Sequence, residues 1–249
     1  MRPLHPAGVH YAKDAMDGLR VLNQIVGEPA EKPGSMIIKR KQKTKRDVSP
    51  QGKTKQPVGR QRFHDSAVVR KMPRMVLFAN LDKNALFEKR WKLGRLSHQQ
   101  RLEAETRLVG LWRVLRPMIK PKAVYTVVHA GDLHFESGLL QKQTVFGVQL
   151  VTLGTDLRTI KGTGEEKYLL HGLAAELTET LARWCDARLA RENHWQRTRR
   201  ISPGYPVWPD LSEQKKIFAL LKPGRIGVRL TRAHQMVPEY TTSAAVLPR

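Results

Sequence analysis

The sequence predicts an α+β domain in which a mixed or antiparallel sheet is flanked by helices. Ala123–His129 lies between Pro121 and Gly131 and is rich in β-branched and aromatic residues, as a strand is. Thr144–Leu153 has a similar composition and predicts a second strand. Gly164–Asn193 is a clear helix, because its leucines recur at intervals of three and four residues. The elements follow no regular strand–helix–strand order, which favours α+β over a doubly wound parallel sheet.

Shorter patterns indicate the other elements. Met75–Phe78 is a short apolar run, and Ser97 is a candidate N-cap for a helix that ends before Pro117. The apolar residues of that helix return at roughly helical spacing: Leu102, Leu108, Leu111, Trp112 and Leu115. The remaining predictions are short helices at Asn84–Trp91 and Leu211–Leu221, the second capped by Asp210 or Ser212, and strands at Gly224–Leu230 and Ser243–Leu247.

Charge divides the 249-residue chain into two parts. Lys and Arg number 45 against 22 Asp and Glu, which gives a formal charge of +23 at pH 7. Basic residues are dense over 39–62, where large apolar residues are almost absent, so this segment cannot bury enough surface to offset its ordering entropy. We therefore expect a basic, largely disordered tail over residues 1–72 and a folded domain over residues 73–249. A charge of this sign attracts polyanions, so nucleic acid is one candidate partner of the tail.

Several classes of protein and site are excluded. Cys185 is the one cysteine, so neither an intramolecular disulfide nor a cysteine-rich zinc site can form. No apolar run approaches the roughly 20 residues that span a bilayer, and the N-terminus lacks a secretory signal, so a soluble cytoplasmic protein is expected. The sequence has no Walker-type phosphate loop, no histidine pair at zinc spacing on a helix and no nucleophile elbow.

The segment Arg200–Asp210, with the sequence RISPGYPVWPD, is the informative one. Three prolines and a glycine give it an irregular but stiff backbone, from which Arg200 and Tyr205 project. Arginine offers a planar fork of donors to a carboxylate, and tyrosine offers a flat apolar face with a polar tip. These properties suit a small anionic or zwitterionic ligand. A packed, Pro-rich connection between two elements is the alternative interpretation.

The same segment resembles a family signature. Arg200–Asp210 reproduces the Arg-x-x-Pro-Gly-Tyr-Pro-x-x-Pro-Asp pattern of the activation (AdoMet-binding) domain of cobalamin-dependent methionine synthase. Upstream, Tyr168–Leu173 reproduces the Tyr-Leu-x-His-Gly-Leu that often opens a helix of the family, and Leu81–Arg95 resembles its Leu-Phe-x-x-x-Trp segment. The resemblance covers about residues 73–249 and implies the fold of that family. The chain resembles a free-standing homologue, because it has no room for the other methionine synthase modules. It resembles a shortened one, because the insertion between the first two strands is short and the sequence stops at Arg249.

The resemblance implies site residues at the matching positions. Arg200 takes the place of the arginine that contacts the methionine portion of AdoMet, and Tyr205 that of the tyrosine that faces cobalamin. Glu179 matches the acid that binds the amino-acid end of AdoMet, although spacing alone favours an ion pair with Arg183. The other AdoMet-binding residues that the resemblance implies are the loop residues Ile201, Ser202 and Gly204 and, on the adenosine side, Asp132.

The function implied by the resemblance is the reductive remethylation, or reactivation, of cobalamin. A module of this family presents AdoMet to reduced cobalamin, so this chain would act in trans as a component of a methyltransferase. Its partners would be a corrinoid-binding protein or the other methionine synthase modules, together with an electron donor such as a flavodoxin. The alternative is a degenerate, non-catalytic homologue that binds nucleic acid or a protein partner through its basic tail.

Overall fold

The centre of the fold is a five-stranded antiparallel sheet. The structure is a computed structural model that describes residues 66–129, 131, 133–158 and 160–249. The strands of this sheet are β1 (Ala67–Val69), β2 (Lys122–His129), β3 (Val145–Thr152), β4 (Thr198–Ile201) and β7 (Thr241–Pro248). Their order across the sheet is β1-β2-β3-β7-β4, and every neighbouring pair is antiparallel. The predicted α+β class and the two predicted strands at Ala123–His129 and Thr144–Leu153 are confirmed.

The strands β2 and β3 form the centre because their residues are mostly apolar or β-branched. Their ladder runs over all eight residues of each strand, from Lys122 opposite Thr152 to His129 opposite Val145. β3 is buried along almost its whole length, so both faces of the sheet are covered.

Helices supply that cover. The α-helices of the described residues are α1 (Arg74–Ala79), α2 (His98–Leu115), α3 (Gly138–Gln141), α4 (Gly164–Glu192) and α5 (Gln214–Leu221). α4 packs on one face of the sheet and begins at a capping box, in which Thr163 and Glu166 each bond the backbone N–H of the other. No helix of the described residues is both long enough and apolar enough to cross a membrane.

The apolar side of α4 is the one that the sequence predicts, except at its end. Leu173, Leu177 and Leu181 recur at four-residue intervals and are fully buried against the sheet. The predicted apolar stripe ends at Trp184, but this residue is only half-buried. Cys185, one position further, is fully buried instead. Trp184 is less buried than Cys185 because the buried residues continue at intervals of four. Four residues exceed one helical turn of 3.6 residues, so the buried side moves gradually around the axis of a long helix.

The opposite face of the sheet carries the second half of the core. There Val148 of β3 and Leu247 of β7 pack in one cluster with Ile217 of α5 and with Trp208, all of them less than 5% exposed. Alternation along each strand sends its neighbours to the α4 face. The sheet therefore separates an α4 layer from an α5 layer.

The N-terminal helices pack on α4. Ser97 caps α2 through a capping box with Gln100, as the sequence predicts, and Trp112 of α2 stacks on Phe78 of α1 at 4.6 Å between ring centroids. A π-helical turn at Ala85–Arg90 replaces the predicted short helix Asn84–Trp91. The predicted apolar residue Leu102 is 46% exposed, so it does not belong to the buried side of α2.

The predicted strand Gly224–Leu230 is wrong over most of its length. A 3₁₀ turn occupies Pro223–Ile226, between Lys222 and Gly227, which both have left-handed backbone conformations with φ of 49° and 84°. Only β5 (Arg229–Leu230) is extended, and it pairs with β6 (Met236–Val237) in a separate two-stranded sheet. A left-handed residue interrupts a strand, and the apolar pattern does not reveal it.

The start of the described residues falls near the predicted domain boundary. β1, at Ala67–Val69, pairs with β2 at residues 123–125, although it lies on the tail side of the boundary at residue 72. The sheet thus includes a short segment from before that boundary. Residues 1–65, which hold most of the predicted basic tail, lie outside the described residues, so the disordered tail stays a prediction.

Candidate functional site

The site is centred on Arg200, which lies on the edge strand β4 at the face of the sheet that α4 covers. Arg200 pairs with Val246 of β7, and Val246 pairs with Gly147 of β3. A Cβ at Gly147 would lie 2.9 Å from Leu189 Cδ1, so the glycine allows α4 to approach the sheet closely. This close approach brings acidic side chains of α4 to the Arg200 guanidinium.

Glu179 is the first acidic partner of Arg200. Arg200 Nη2 donates to Glu179 Oε2 at 2.6 Å, a charge-assisted hydrogen bond between two partly buried side chains. The ion pair between Glu179 and Arg183 that spacing alone favours is wrong, because Arg183 donates instead to the buried Glu176, at 3.1 Å. Two residues that the sequence analysis assigns to one ligand are therefore neighbours in the structure.

Asp186 is a second acidic partner, which the sequence analysis missed. Its Oδ2 lies 3.6 Å from Arg200 Nη1, and its Oδ1 accepts a hydrogen bond from Gln149 Nε2 at 2.7 Å. Burial raises the pKa of Asp186 to about 6, against the opposing effects of the Arg200 charge and the Gln149 hydrogen bond. Glu179 and Asp186 are seven residues apart, two helical turns, so they lie on the same side of α4. That spacing is the signal that could have revealed Asp186.

The Arg200 guanidinium keeps a donor that could serve a ligand. Nη1 is buried and has no hydrogen-bond acceptor among the described residues, because Asp186 Oδ2 lies beyond hydrogen-bond distance. A guanidinium has five N–H donors in a planar fork, which match a carboxylate. Glu179, in turn, can accept from a cation. The pair thus carries the two charges that complement an amino-acid zwitterion.

The other predicted residues, at the end of β4 and in the loop after it, lie in different environments. Ile201 is buried in the core on the face opposite α4, and its backbone pairs with Ala245. Ser202 is half-buried. Gly204 has a φ of +89°, a backbone conformation that would be strained in a residue with a side chain. Tyr205 is 67% exposed, so its ring projects into solvent and is not packed into the domain.

Trp208 anchors this loop to the core. Its side chain is 1% exposed and meets the Phe135 ring edge-to-face at 5.0 Å, while its Nε1 donates to Glu213 at 3.3 Å. The backbone N–H of Gly204 donates to the Trp208 carbonyl, and the Trp208 N–H donates to the Tyr205 carbonyl, both at 2.8 Å. A loop fixed in this way presents the Tyr205 ring with little conformational freedom left in its backbone.

Other chemistry-bearing side chains are not grouped into a site. Within the part of the chain that the structure describes, no three His, Cys, Asp or Glu side chains are placed to hold a metal ion. Cys185 is buried inside α4, and burial raises the pKa of its thiol well above the usual range. Asp132, the predicted adenosine-side residue, lies outside the described residues and stays a prediction.

Comparison with protein families finds the same resemblance as the sequence motifs. Residues 166–248 match the family model described as the activation domain of vitamin B12 dependent methionine synthase. The methionine synthases of Mycobacterium tuberculosis and Mycobacterium leprae are 32% and 31% identical to this chain over 130 residues. Each match covers 41% of this chain and 11% of the relative, so the chain corresponds to a small part of those proteins. The resemblance to the methionine synthase activation domain is confirmed.

Comparison with solved structures extends the likeness toward the N-terminal side. A crystal structure of the MetH reactivation domain bound to AdoHcy matches with a TM-score of 0.57. The match covers 74% of this chain and 78% of that chain, at 17% sequence identity. At this identity the likeness concerns the fold, and it confirms the fold that the sequence motifs imply.

Proposed function

We propose that this chain binds AdoMet and presents it for the reductive remethylation of a corrinoid held by another protein. The observation that carries the proposal is the pair of Arg200 and Glu179, whose charges meet at 2.6 Å inside the matched residues 166–248. Arg200 binds the carboxylate of the methionine portion, and Glu179 binds its ammonium. Each side chain exchanges its present partner for a ligand group of the same charge, so no charge is left unpaired in the partly buried site.

The other predicted residues complete the ligand site in this proposal. The backbone of Ile201, Ser202 and Gly204 lines the amino-acid end of AdoMet, since Ile201 follows Arg200 at the end of β4 and the loop continues from it. Asp132 binds on the adenosine side. This part of the proposal rests on the family resemblance, and the Arg200–Glu179 contact supports the placement of the amino-acid end.

The residues of this chain do positioning rather than acid–base work. Bound AdoMet supplies a sulfonium methyl group, which leaves as AdoHcy forms, and the reduced corrinoid of the partner supplies the electron pair. Such a transfer depends mainly on the alignment of the methyl donor and its acceptor, which can lower the activation free energy by several kcal/mol. Holding both ends of the amino-acid portion with Arg200 and Glu179 fixes the direction of the sulfonium.

Tyr205 faces the corrinoid in this proposal. Its ring is 67% exposed at the tip of a loop that Trp208 fixes to the core. A flat exposed ring suits contact with the edge of a flat macrocycle, and the contact costs little ordering entropy. The partners are a corrinoid-binding protein or methionine synthase modules, with an electron donor such as a flavodoxin that returns oxidised corrinoid to its reduced state.

Calorimetric titration of the full chain with AdoMet tests the proposal. Arg200→Ala should weaken binding by roughly 30-fold or more, because loss of a partly buried charge partner typically costs about 2–5 kcal/mol. The matched control is Arg199→Ala, an exposed arginine of the same strand. Glu179→Ala should also weaken binding, and its control is Glu165→Ala, which breaks the exposed α4 ion pair with Arg107.

Two results would contradict the proposal. Either the unmodified chain binds no AdoMet, or Arg200→Ala binds it as tightly as Arg199→Ala does. In the first case a parallel titration with RNA and DNA at several salt concentrations examines the alternative of a non-catalytic homologue, since phosphate contacts weaken steeply with salt. That alternative depends on the basic tail, which lies mostly outside the described residues.

Tyr205→Ala separates the corrinoid contact from the AdoMet site. We expect the affinity for AdoMet to stay within about threefold, since such surface changes are usually small in energy, while docking to a cobalamin-loaded protein weakens. Tyr168→Ala, at the other strongly exposed tyrosine of the described residues, is the control. Equal loss of both affinities in Tyr205→Ala would show that the residue is structural.

A further inference from the structure

The Arg200 guanidinium lies between two carboxylates of one helix. Glu179 accepts from Nη2 at 2.6 Å, and Asp186 faces Nη1 at 3.6 Å. A ligand carboxylate that binds Arg200 through both terminal nitrogens must compete with at least one of them. The question is therefore which acid leaves the guanidinium and which one stays.

The two carboxylates differ in how firmly they are held. The side chain of Glu179 is 33% exposed, and Arg200 is the hydrogen-bond partner that the structure gives it. The side chain of Asp186 is 16% exposed and is bonded at 2.7 Å to Gln149, a residue of the central strand β3 that is itself 1% exposed. When Glu179 turns to a ligand it gives up one hydrogen bond, to Arg200, whereas a movement of Asp186 would break its partly buried hydrogen bond to Gln149 as well as its ion pair with Arg200.

Gln149 is fixed by the sheet and by α4 together. It lies on β3 opposite Ala244, and its Nε2 donates to Asp186 and, at 3.4 Å, also to the carbonyl of Ala182. Asp186 thus receives its orientation from the strand on which α4 packs. A carboxylate held in this way can hold Arg200 from one side while the other side changes partners.

We propose that Asp186, oriented by Gln149, is a positioning residue that holds the Arg200 guanidinium while Glu179 leaves it to bind the ammonium of a zwitterionic amino-acid ligand. The inference rests on the proposed function, because the ligand is AdoMet. It adds to that function that the two acids have different roles. Glu179 touches the ligand, and Asp186 acts through Arg200.

The charge of Asp186 gives this role a pH signature. Burial raises the pKa of Asp186 to about 6, so the carboxylate is ionised at pH 7.5 and becomes protonated as the pH falls through about 6. The hold on Arg200 then weakens, and the affinity for AdoMet falls with it. The titratable, charged and polar groups that face Asp186 are Arg200 of β4, Gln149 of β3, and Glu179 and Arg183 of α4.

Titration of the full chain with AdoMet between pH 5 and pH 7.5 tests the proposal. The unmodified chain should lose affinity by roughly tenfold or more below pH 6. Asp186→Asn should bind roughly tenfold more weakly at pH 7.5 and should lose most of the pH dependence. Asp156→Asn, which removes an exposed carboxylate paired with Arg158, should behave as the unmodified chain does. An Asp186→Asn variant with unchanged affinity and an unchanged pH profile would overturn the proposal.

Gln149→Met provides a second variant with a directional outcome. The Gln149 hydrogen bond favours the ionised form of Asp186, so its loss should move the midpoint of the affinity profile to higher pH. A merely structural role of Gln149 would lower the affinity equally at every pH. That result would overturn the part of the proposal that concerns Gln149.

A readout without ligand separates this inference from the proposed function. In the ¹⁵N-labelled full chain that carries Glu179→Ala, which removes the 2.6 Å contact to Nη2, the Arg200 guanidinium signal, identified by its loss in Arg200→Lys, should report restricted rotation at pH 7.5. The restriction should be lost when Asp186→Asn is added and when the pH falls below 6. If the restriction depends on Asp186 but AdoMet does not bind, the proposed function fails while the hold of Asp186 on Arg200 stands. If AdoMet binds but the restriction is independent of Asp186, the inference fails alone.

Discussion

Gly172 and Gly110 both lie inside helices, yet alanine at these positions should change stability in opposite directions. A Cβ at Gly172 would lie 2.8 Å from Trp91 Cδ1 and 3.1 Å from Trp91 Nε1. The Trp91 ring is 3% exposed and donates to the Leu169 carbonyl at 2.9 Å, so it cannot move without losing packing and that hydrogen bond. Overpacking costs about 1–3 kcal/mol and the hydrogen bond about 1 kcal/mol, against about 1 kcal/mol gained in helix propensity. Gly172→Ala should therefore lower the free energy of unfolding by about 1–3 kcal/mol.

Gly110→Ala is the matched control. Gly110 is an exposed residue of α2, and apart from its chain neighbours and the adjacent backbone of its own helix, no atom of the described residues lies within 4 Å of its added Cβ. Helix propensity alone then predicts a gain of up to about 1 kcal/mol. Thermal unfolding followed by circular dichroism measures both, with about 2–4 °C in Tm expected per kcal/mol for a domain of this size. If Gly172→Ala stabilises the protein as Gly110→Ala does, the packing of Trp91 on α4 is refuted.

Three further predictions concern the core, the loop and the buried acid. Leu177→Ala should lower the free energy of unfolding, measured by urea denaturation, by about 3–5 kcal/mol. The exposed Leu102→Ala should lower it by less than about 0.5 kcal/mol. Similar losses for the two variants would contradict the core position of Leu177. Glu213→Ala removes the acceptor of Trp208 Nε1, so it should cost about 1–3 kcal/mol and speed proteolysis at residues 204–207, and an unchanged cleavage rate would contradict the anchoring. Asp186→Asn should stabilise the fold at pH 7.5 but not at pH 4. The pKa of Asp186 is higher in the folded than in the unfolded chain, so ionisation of this carboxyl destabilises the folded protein as the pH rises from about 4 to about 6. A pH-independent difference in Tm would contradict this.

The parts of the fold that sequence patterns reveal are those that depend on local periodicity. The leucine spacing of α4 and the composition of β2 and β3 follow directly from which residues must be buried. The failure at Gly224–Leu230 has a different origin. Lys222 and Gly227 adopt left-handed conformations on either side of the 3₁₀ turn between α5 and β5, and an apolar pattern holds no information on them.

The site divides in the same way. Arg200 stands out in the sequence because it lies at the start of a stiff Pro/Gly-rich loop within a recognisable motif. Gln149 and Asp186 do not, because the contacts of Gln149 with Asp186 and of Asp186 with Arg200 depend on the register of β3, β7 and β4 and on the close approach of α4 at Gly147. Such contacts join residues distant in sequence, and only the assembled sheet brings them together. Spacing alone would also have misassigned Glu179 to a pair with Arg183.

The most direct test of the Arg200–Glu179 site is a crystal structure of the full chain in complex with AdoMet. In this complex the Arg200 guanidinium should lie within about 3.2 Å of the ligand carboxylate, and Glu179 should have turned to the ligand ammonium. Asp186 should keep its hydrogen bond to Gln149. A ligand bound elsewhere on the chain, with the 2.6 Å contact between Arg200 and Glu179 still intact, would contradict the central claim.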